Sequence, residues 1–270
     1  MCRPEVRALK IVVTVKLVPD TNADKRIDPA NKRLVRTGVE TVLNPFDEYA
    51  IEAALQLKDK LADGSTVTIV SMAPETGKEI VRKALAMGAD NAVMLSDPGF
   101  GGSDVWGTAY ALAAGIRKIG FDLVLTGTQS TDAITGELPG ALAEHLDVPG
   151  LTNARQIEFA DGRIRVHRET DAGYQVVSAP LPALASITKS AAEPRFASLK
   201  GIMGAKKKKI DFLKLADLAL TKPVGSDGAK LEITDLTPAP ARAKGRIVKA
   251  ADAAQGAKCI VDFLKERKLL

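Results

Sequence analysis

The segment Gly127-Thr128-Gln129-Ser130-Thr131-Asp132-Ala133-Ile134-Thr135-Gly136-Glu137 joins an aliphatic run to a helical pattern and is rich in hydroxyls and small residues. Backbone N–H groups at such a helix start, with Ser130, Thr131 and Thr135, could hold a phosphate. The bare pattern reads equally well as a polar connection in which Asp132 or Thr135 caps the helix. A second segment has different chemistry. From Glu193 to Ala205, apolar Phe196, Leu199, Ile202 and Met203 alternate with polar or small residues, and Lys206 through Lys209 follow. Four adjacent ammonium groups are too costly to desolvate, so that end belongs in water or against an acidic surface. With the apolar residues beside it, this is the pattern of a docking loop; the simpler reading is a solvated charge run.

Other chemistries find little material. No G-x-G-x-x-G follows the first strand pattern and no G-x-x-x-x-G-K-[ST] occurs, which argues against a standard dinucleotide site and a P-loop. His145 and His167 are the two histidines, and Cys2 and Cys259 the two cysteines, with no zinc spacing and no support for a Ser-His-Asp arrangement. Glu52 with Asp59, and Glu75 with Glu79, fall on predicted helix surfaces and read as solvated carboxylates rather than an acid–base pair. Side-chain catalysis and a metal site are therefore not expected.

The chain has 270 residues, enough for a sizeable core, and 46% hydrophobic content argues for a globular protein. Apolar runs stay short of the roughly 20 residues a membrane span needs, so the expectation is a soluble, cytoplasmic protein without direct membrane insertion. A net charge of +5 and 4% aromatics, with none interleaved among the basic residues, do not suit nucleic acid.

Residues 11–15, 66–71, 92–95 and 122–126 are short aliphatic runs suited to strands covered on both faces. Between them lie helical patterns. In residues 46–61, Ala50, Ala54, Leu57 and Leu61 share a face, Asn44 and Pro45 suit the N-cap and first position, and Asp47 and Glu48 favour the positive end of the dipole. Further helices are predicted over Glu75–Met87, from after Ser103 to Gly120, and over about residues 137–146. This alternation predicts an α/β fold, an open and mainly parallel sheet with helices on both faces. Ligands should then sit where the loops at Lys16–Asp20, Ser71–Pro74 and Gly127–Gly136 converge. Around Asp161-Gly162, alternating Ile157, Phe159, Ile164 and Val166 predict a small antiparallel section, with strands at Tyr174–Ser178 and Ala183–Ile187 and a loop over 188–205. From 221 to 270 the Gly, Ala, Pro and Lys content predicts an extended arm, ending in a short helix with Ala257, Ile260, Val261 and Leu264 on one face. Residues 1–9 read as an extension ahead of a domain over 10–220.

Pro194-Arg195-Phe196, Ser198-Leu199, Ile202-Met203 and Ala205 with the four lysines resemble, in order, spacing and position, the signature of the electron transfer flavoprotein beta subunit family. Lys10 to Val18, Asn44-Pro45-Phe46, Lys83 to Asp90 and Arg168 to Gly173 are similar to it too, so that the likeness runs from about residue 10 to about residue 220.

The resemblance implies a Rossmann-like, adenine-nucleotide-binding sheet in a non-catalytic carrier. An alpha subunit would hold most of the FAD, and this chain would hold AMP. Carried over by position, Thr14, Asn44, Met72, Gly127, Gln129, Asp132, Thr135 and Gly136 would surround AMP, and Phe46 would approach the flavin. Phe46 equally suits a hydrophobic staple. The loop over 188–205 would dock acyl-CoA or other flavin dehydrogenases through Arg195, Ile202, Met203 and above all Leu199, with a quinone reductase taking the electrons onward. Residues 221–270 would pack on the alpha subunit. Ser130 to Glu137 departs from the acidic, Asn/Gln-containing loop of many members, and bifurcating relatives hold a second FAD where others hold AMP; AMP is the expectation here. A stand-alone adenine-nucleotide enzyme or sensor is the competing reading.

Overall fold

The computed structural model describes residues 8–23, 25–36, 38–61, 64–237, 240, 244–245 and 247–270. Most of the expected extension, including Cys2, lies outside them. Leu9 belongs to the domain: it is buried, and its N–H donates to Ser65 Oγ at 2.8 Å.

The first strand, β1 (Lys10–Thr14), is followed by an excursion of short strands: β2 (Leu17–Pro19), β3 (Ile27–Asp28), β4 (Arg33–Leu34) and β5 (Thr41–Leu43). These pair antiparallel as two ribbons, β2 with β5 and β3 with β4. Then come α1 (Pro45–Leu61), β6 (Thr66–Met72), α2 (Lys78–Met87), β7 (Asn91–Leu95), α3 (Val105–Ile119), β8 (Leu123–Gly127) and α4 (Leu138–Leu146). The chain continues through β9 (Gly150–Ala160), β10 (Arg163–Thr170), β11 (Gly173–Pro180), β12 (Ala183–Ile187), α5 (Leu199–Lys207), β13 (Ile210–Leu213) and α6 (Ala253–Glu266).

One nine-stranded sheet has the order β11-β10-β9-β12-β8-β1-β6-β7-β13. It is parallel from β9 to β13, and β10 and β11 add antiparallel at one edge. The antiparallel section is thus an extension of the main sheet. β9 makes the join, pairing parallel with β12 through Gly150 to Ala154 and antiparallel with β10 through Gln156 to Ala160. The hairpin turns at Asp161 (φ 53) and Gly162 (φ 70), as the dipeptide predicted. All five residues of β12 are buried beside β8, where a strand covered on both faces belongs.

Side chains alternating across the sheet feed two cores. Ile11, Val13, Ile69 and Leu125 meet α1, α2 and Ala205 of α5 on one face; Val12, Val70, Val124 and Leu184 meet α3 and α4 on the other. The predicted loop over 188–205 is corrected at its end, because Ser198 starts a helix there: its Oγ accepts from Gly201 N at 3.0 Å, closing the first turn.

The chain divides into two compact units, Met1–Thr234 and Asp235–Leu270. The first runs past residue 220 because later backbone bonds back onto α3 and its approach. Tyr110 OH accepts from Thr221 N at 2.8 Å, and Asp104 Oδ2 accepts from Lys230 N at 2.7 Å and Leu231 N at 3.2 Å. The second unit carries α6, with Asp252 as N-cap and Ile260, Val261 and Phe263 exposed. Among the described residues, no helix is long and apolar enough to cross a membrane.

Leu125 is fully buried in the central strand β8. Leu125→Ala is expected to cost about 3 kcal/mol of unfolding free energy, whereas truncating the 40% exposed Phe212 costs under about 1.5 kcal/mol, both measured by denaturant titration.

Candidate functional site

β1 has β6 on one side and β8 on the other, so the chain reverses its direction of growth across the sheet at β1/β8. Beyond the carboxyl ends of these two strands lies the crevice such a reversal opens. Three parts of the chain meet there: Lys16 just after β1, the first turn of α1, and the loop that leaves β8 at Gly127.

Asn44 and Asp47 hold them together. Asn44 Nδ2 donates to Asp47 Oδ1 and to the Gln129 carbonyl, both at 2.9 Å, while its Oδ1 accepts from Thr131 N at 3.2 Å. The amide expected to cap α1 therefore ties the helix start to the loop. Asp47 Oδ2 accepts from Lys16 N at 2.7 Å. Gly127 is needed by close approach, since a Cβ there would come within 2.5 Å of Asp47 Oδ1 and 2.8 Å of the Phe46 carbonyl carbon.

A ring of cations closes over the loop from the excursion between β1 and α1. Lys16 Nζ lies 2.7 Å from Asp132 Oδ1 and 3.3 Å from Ser130 Oγ, Arg36 pairs with Asp132 Oδ2, and Lys25 Nζ donates to the Thr131 carbonyl at 3.4 Å. The Asp132 side chain is 1% exposed. Burial opposes its ionisation, but the Lys16 charge and hydrogen bonds from Lys16, Arg36 and Ser130 outweigh burial and hold the carboxyl down at about 2. Neither Asp132 nor Thr135 caps α4, whose N-cap is Glu137. Of the buried oxygens around the crevice, Thr126 Oγ1 and Thr131 Oγ1 have no hydrogen-bond partner among the described residues.

The other positions named from sequence are spread along the crevice. Thr14 is buried at the end of β1, and Phe46 is half-buried on the first turn of α1. Met72 closes β6 and packs on the core of the α3–α4 face. Thr135 and Gly136 lie on the exposed outer limb of the loop. Arg36 and Lys25 carry no sequence signal, because nothing local ties the excursion to a loop about a hundred residues later. Lys16 and Asp47 had a signal, being respectively the first residue beyond a strand and the third beyond an N-cap.

The second candidate surface lies on α5 and its approach. Phe196 is 97% exposed, Leu199 82%, Met203 67% and Ile202 41%. Arg195 is occupied within the chain: Nε meets Glu52 Oε2 at 2.8 Å, and Nη2 meets Glu52 Oε1 at 3.1 Å and Asp59 Oδ2 at 3.0 Å. Glu52 is thus buried and paired where solvation was expected, because the segment after β12, through Ala191 and Ala197, covers that side of α1. Of the four lysines, Lys206, Lys207 and Lys209 are exposed, and Lys208 turns to the Ala89 carbonyl.

Asp47 gives the crevice a pH dependence. Burial pushes its carboxyl up to about 7, against hydrogen bonds from Lys16, Asn44 and Gly127 and the Lys16 charge. The folded-state value lies above the ordinary 3.8, so this contribution to stability is full below about pH 4 and lost as pH rises through about 7. Asp132 has the opposite sign, and its contribution is lost only as pH falls from about 4 through about 2. Between about pH 5 and about pH 7, unfolding free energy should fall by up to about 1.4 kcal/mol per pH unit relative to Asp47→Asn, in denaturant titrations at each pH. Equal slopes in the two proteins would place the dependence elsewhere.

Comparison with known proteins matches the chain to a family. The electron transfer flavoprotein domain matches residues 32–218. The chain is 41% identical to the electron transfer flavoprotein subunit beta of Mycobacterium tuberculosis over 96% of its own length and 99% of the relative's. It is 38% identical to that of Megasphaera elsdenii over 96% and 97%. It is also 36% identical, over 97% and 100%, to a subunit of the caffeyl-CoA reductase-Etf complex of Acetobacterium woodii. A likeness over nearly the whole chain means that this chain belongs to the electron transfer flavoprotein family, among its beta subunits.

Proposed function

We propose that this electron-transfer subunit binds AMP in the β1/β8 crevice, helps hold the FAD of an alpha subunit, accepts electrons from flavin dehydrogenases at α5, and passes them to a quinone reductase. The observation that carries the reading is a row of exposed apolar side chains, Phe196 just before a short helix and Leu199 and Met203 on it, with the backbone of that helix fastened to the body of the domain. An apolar patch held in one conformation suits a contact that must form and release repeatedly, with little ordering to be done at each encounter. Exposed Lys200, Lys206 and Lys207 nearby raise the encounter rate with acidic donors more than they raise affinity.

The crevice fits an adenine nucleotide in its chemistry. Lys16 and Arg36 both pair with Asp132, Lys25 reaches the neighbouring Thr131 carbonyl, and the buried hydroxyls of Thr126 and Thr131 have no partner among the described residues. Phosphate would draw on the cations and on backbone N–H groups of the loop from Gln129 to Gly136. Thr14, Asn44, Met72 and Gly127 would line the remainder, and Phe46 would face the flavin side. Bound flavin supplies the redox chemistry; the chain orients it and brings donors within reach. Residues 235–270, with an exposed apolar face on α6, suit a surface of the alpha subunit.

Heating the complex purified with its alpha subunit should release FAD and AMP in equal amounts. Two FAD and no AMP would instead favour a second flavin in the crevice, and steady ATP turnover by the chain alone would favour a nucleotide enzyme. Leu199→Ala should lower kcat/KM for electron acceptance from a flavin dehydrogenase about 10-fold or more, with flavin content unchanged. Equal rates for variant and parent would remove the docking role of α5.

A further inference from the structure

The contact between Glu52 and Arg195 is more elaborate than fastening a loop requires. Glu52 is 4% exposed in the middle of α1. Its Oε2 accepts from Arg195 Nε at 2.8 Å and from the Arg195 backbone N–H at 3.1 Å, and its Oε1 accepts from Arg195 Nη2 at 3.1 Å and Gln56 Nε2 at 3.0 Å. Burial works against its ionisation, but the bonds from Arg195 and then Gln56 outweigh it and hold the carboxyl below the usual range. A fork-on-carboxylate pair adds little net stability compared with apolar packing, yet it fixes both position and orientation.

What it orients is the approach to α5. Phe196 follows Arg195 directly, and Leu199 opens the helix. The rest of α5 is held by other means: a Cβ on Gly201 would come within 2.4 Å of the Ala86 carbonyl oxygen, and Arg82 Nη1 donates to the Ala205 carbonyl at 2.8 Å. Those contacts set the body and the end of the helix, and Ser198 caps its first turn; the residues ahead of the cap are held through Arg195, by buried Glu52 and by the more exposed Asp59, and by the packing of Ala197. The same α1 begins in the crevice, where Asn44 and Asp47 bind the loop after β8. Five residues along a helix separate Asp47 from Glu52, about 8 Å of rise. One rigid element therefore spans the nucleotide crevice and the docking surface.

We infer that Glu52 is a positioning residue for electron acceptance: by clamping Arg195 it registers Phe196 and Leu199 against the flavin-side end of α1, and so governs productive docking of the donor. This rests on the reading of α5 as the docking surface. Glu52 is too buried to meet a donor and acts through Arg195. Without the clamp, the entry to α5 must be ordered at each encounter, which weakens association but leaves the transfer step within a correctly docked complex intact.

The test uses the complex with its alpha subunit, carrying Glu52→Gln, Leu199→Ala or both, with a flavin dehydrogenase as donor. Glu52→Gln should raise the KM for the complex about 5-fold to 10-fold, change kcat less than about 2-fold, and leave flavin content and dithionite reduction as in the parent. In the Leu199→Ala background it should add under about 2-fold, because both changes act on one contact. Arg195→Lys, which keeps the charge and loses the fork, should give most of the same rise. If Leu199→Ala has no effect, the docking reading itself fails; if Leu199→Ala raises KM and Glu52→Gln does not, the positioning role alone fails. Loss of flavin in parallel with the rise in KM would make Glu52 a general structural support and overturn the inference. Should the Glu52→Gln complex fail to assemble, Arg195→Gln leaves α1 untouched and is held to the same outcomes.

Discussion

The first turn of α1 has to enter the space between the ends of β1 and β8, and a buried carboxyl governs how it does so. Asp47 accepts from Lys16 at the end of β1 and from Asn44 in its own helix, while Gly127 at the end of β8 presents backbone in place of a side chain. A polar group this deep costs free energy unless its partners are in place, so the three segments hold one another at fixed distances. Everything that follows on α1 inherits that placement.

Two surfaces of opposite character depend on it. The crevice gathers Lys16 and Arg36 around the ionised carboxylate of Asp132, beside buried hydroxyls without a partner among the described residues. Helix α5 and its approach gather apolar side chains in water, a costly arrangement that a domain retains where a partner completes it. In the function proposed, charge serves a resident nucleotide and exposed apolar surface serves a passing protein, as suits a carrier: one ligand is kept, the other exchanged.

Much of the sheet is legible in the sequence. Aliphatic runs at 11–15, 66–71, 92–95 and 122–126 became β1, β6, β7 and β8, and the helices between them began and ended within a few residues of their signals. Helices α2 and α3 end at Met87 and Ile119, where the pattern predicts, each followed by a glycine at positive φ. The Asp161-Gly162 hairpin was equally plain, since a two-residue turn is decided by two residues. The start of α5 was harder, because its run of Gly, Lys and exposed apolar residues gives a helix no continuous buried stripe, and contact with Ala86 and Arg82 stabilises it instead.

The sequence by itself determined the α/β alternation, the place of the crevice and the chemical contrast between the loop after β8 and the lysine-flanked segment, because all three are written in neighbouring residues. Only the tertiary structure decided which charges are paired. Glu52 and Asp59 read as solvated helix carboxylates until the chain returned more than a hundred residues later and laid Arg195 across them, and Arg36 was an ordinary loop cation until the excursion folded over Asp132. An ion pair between distant residues leaves no periodicity or spacing in the chain; it exists only once the backbone has brought the partners together and the solvent between them has gone.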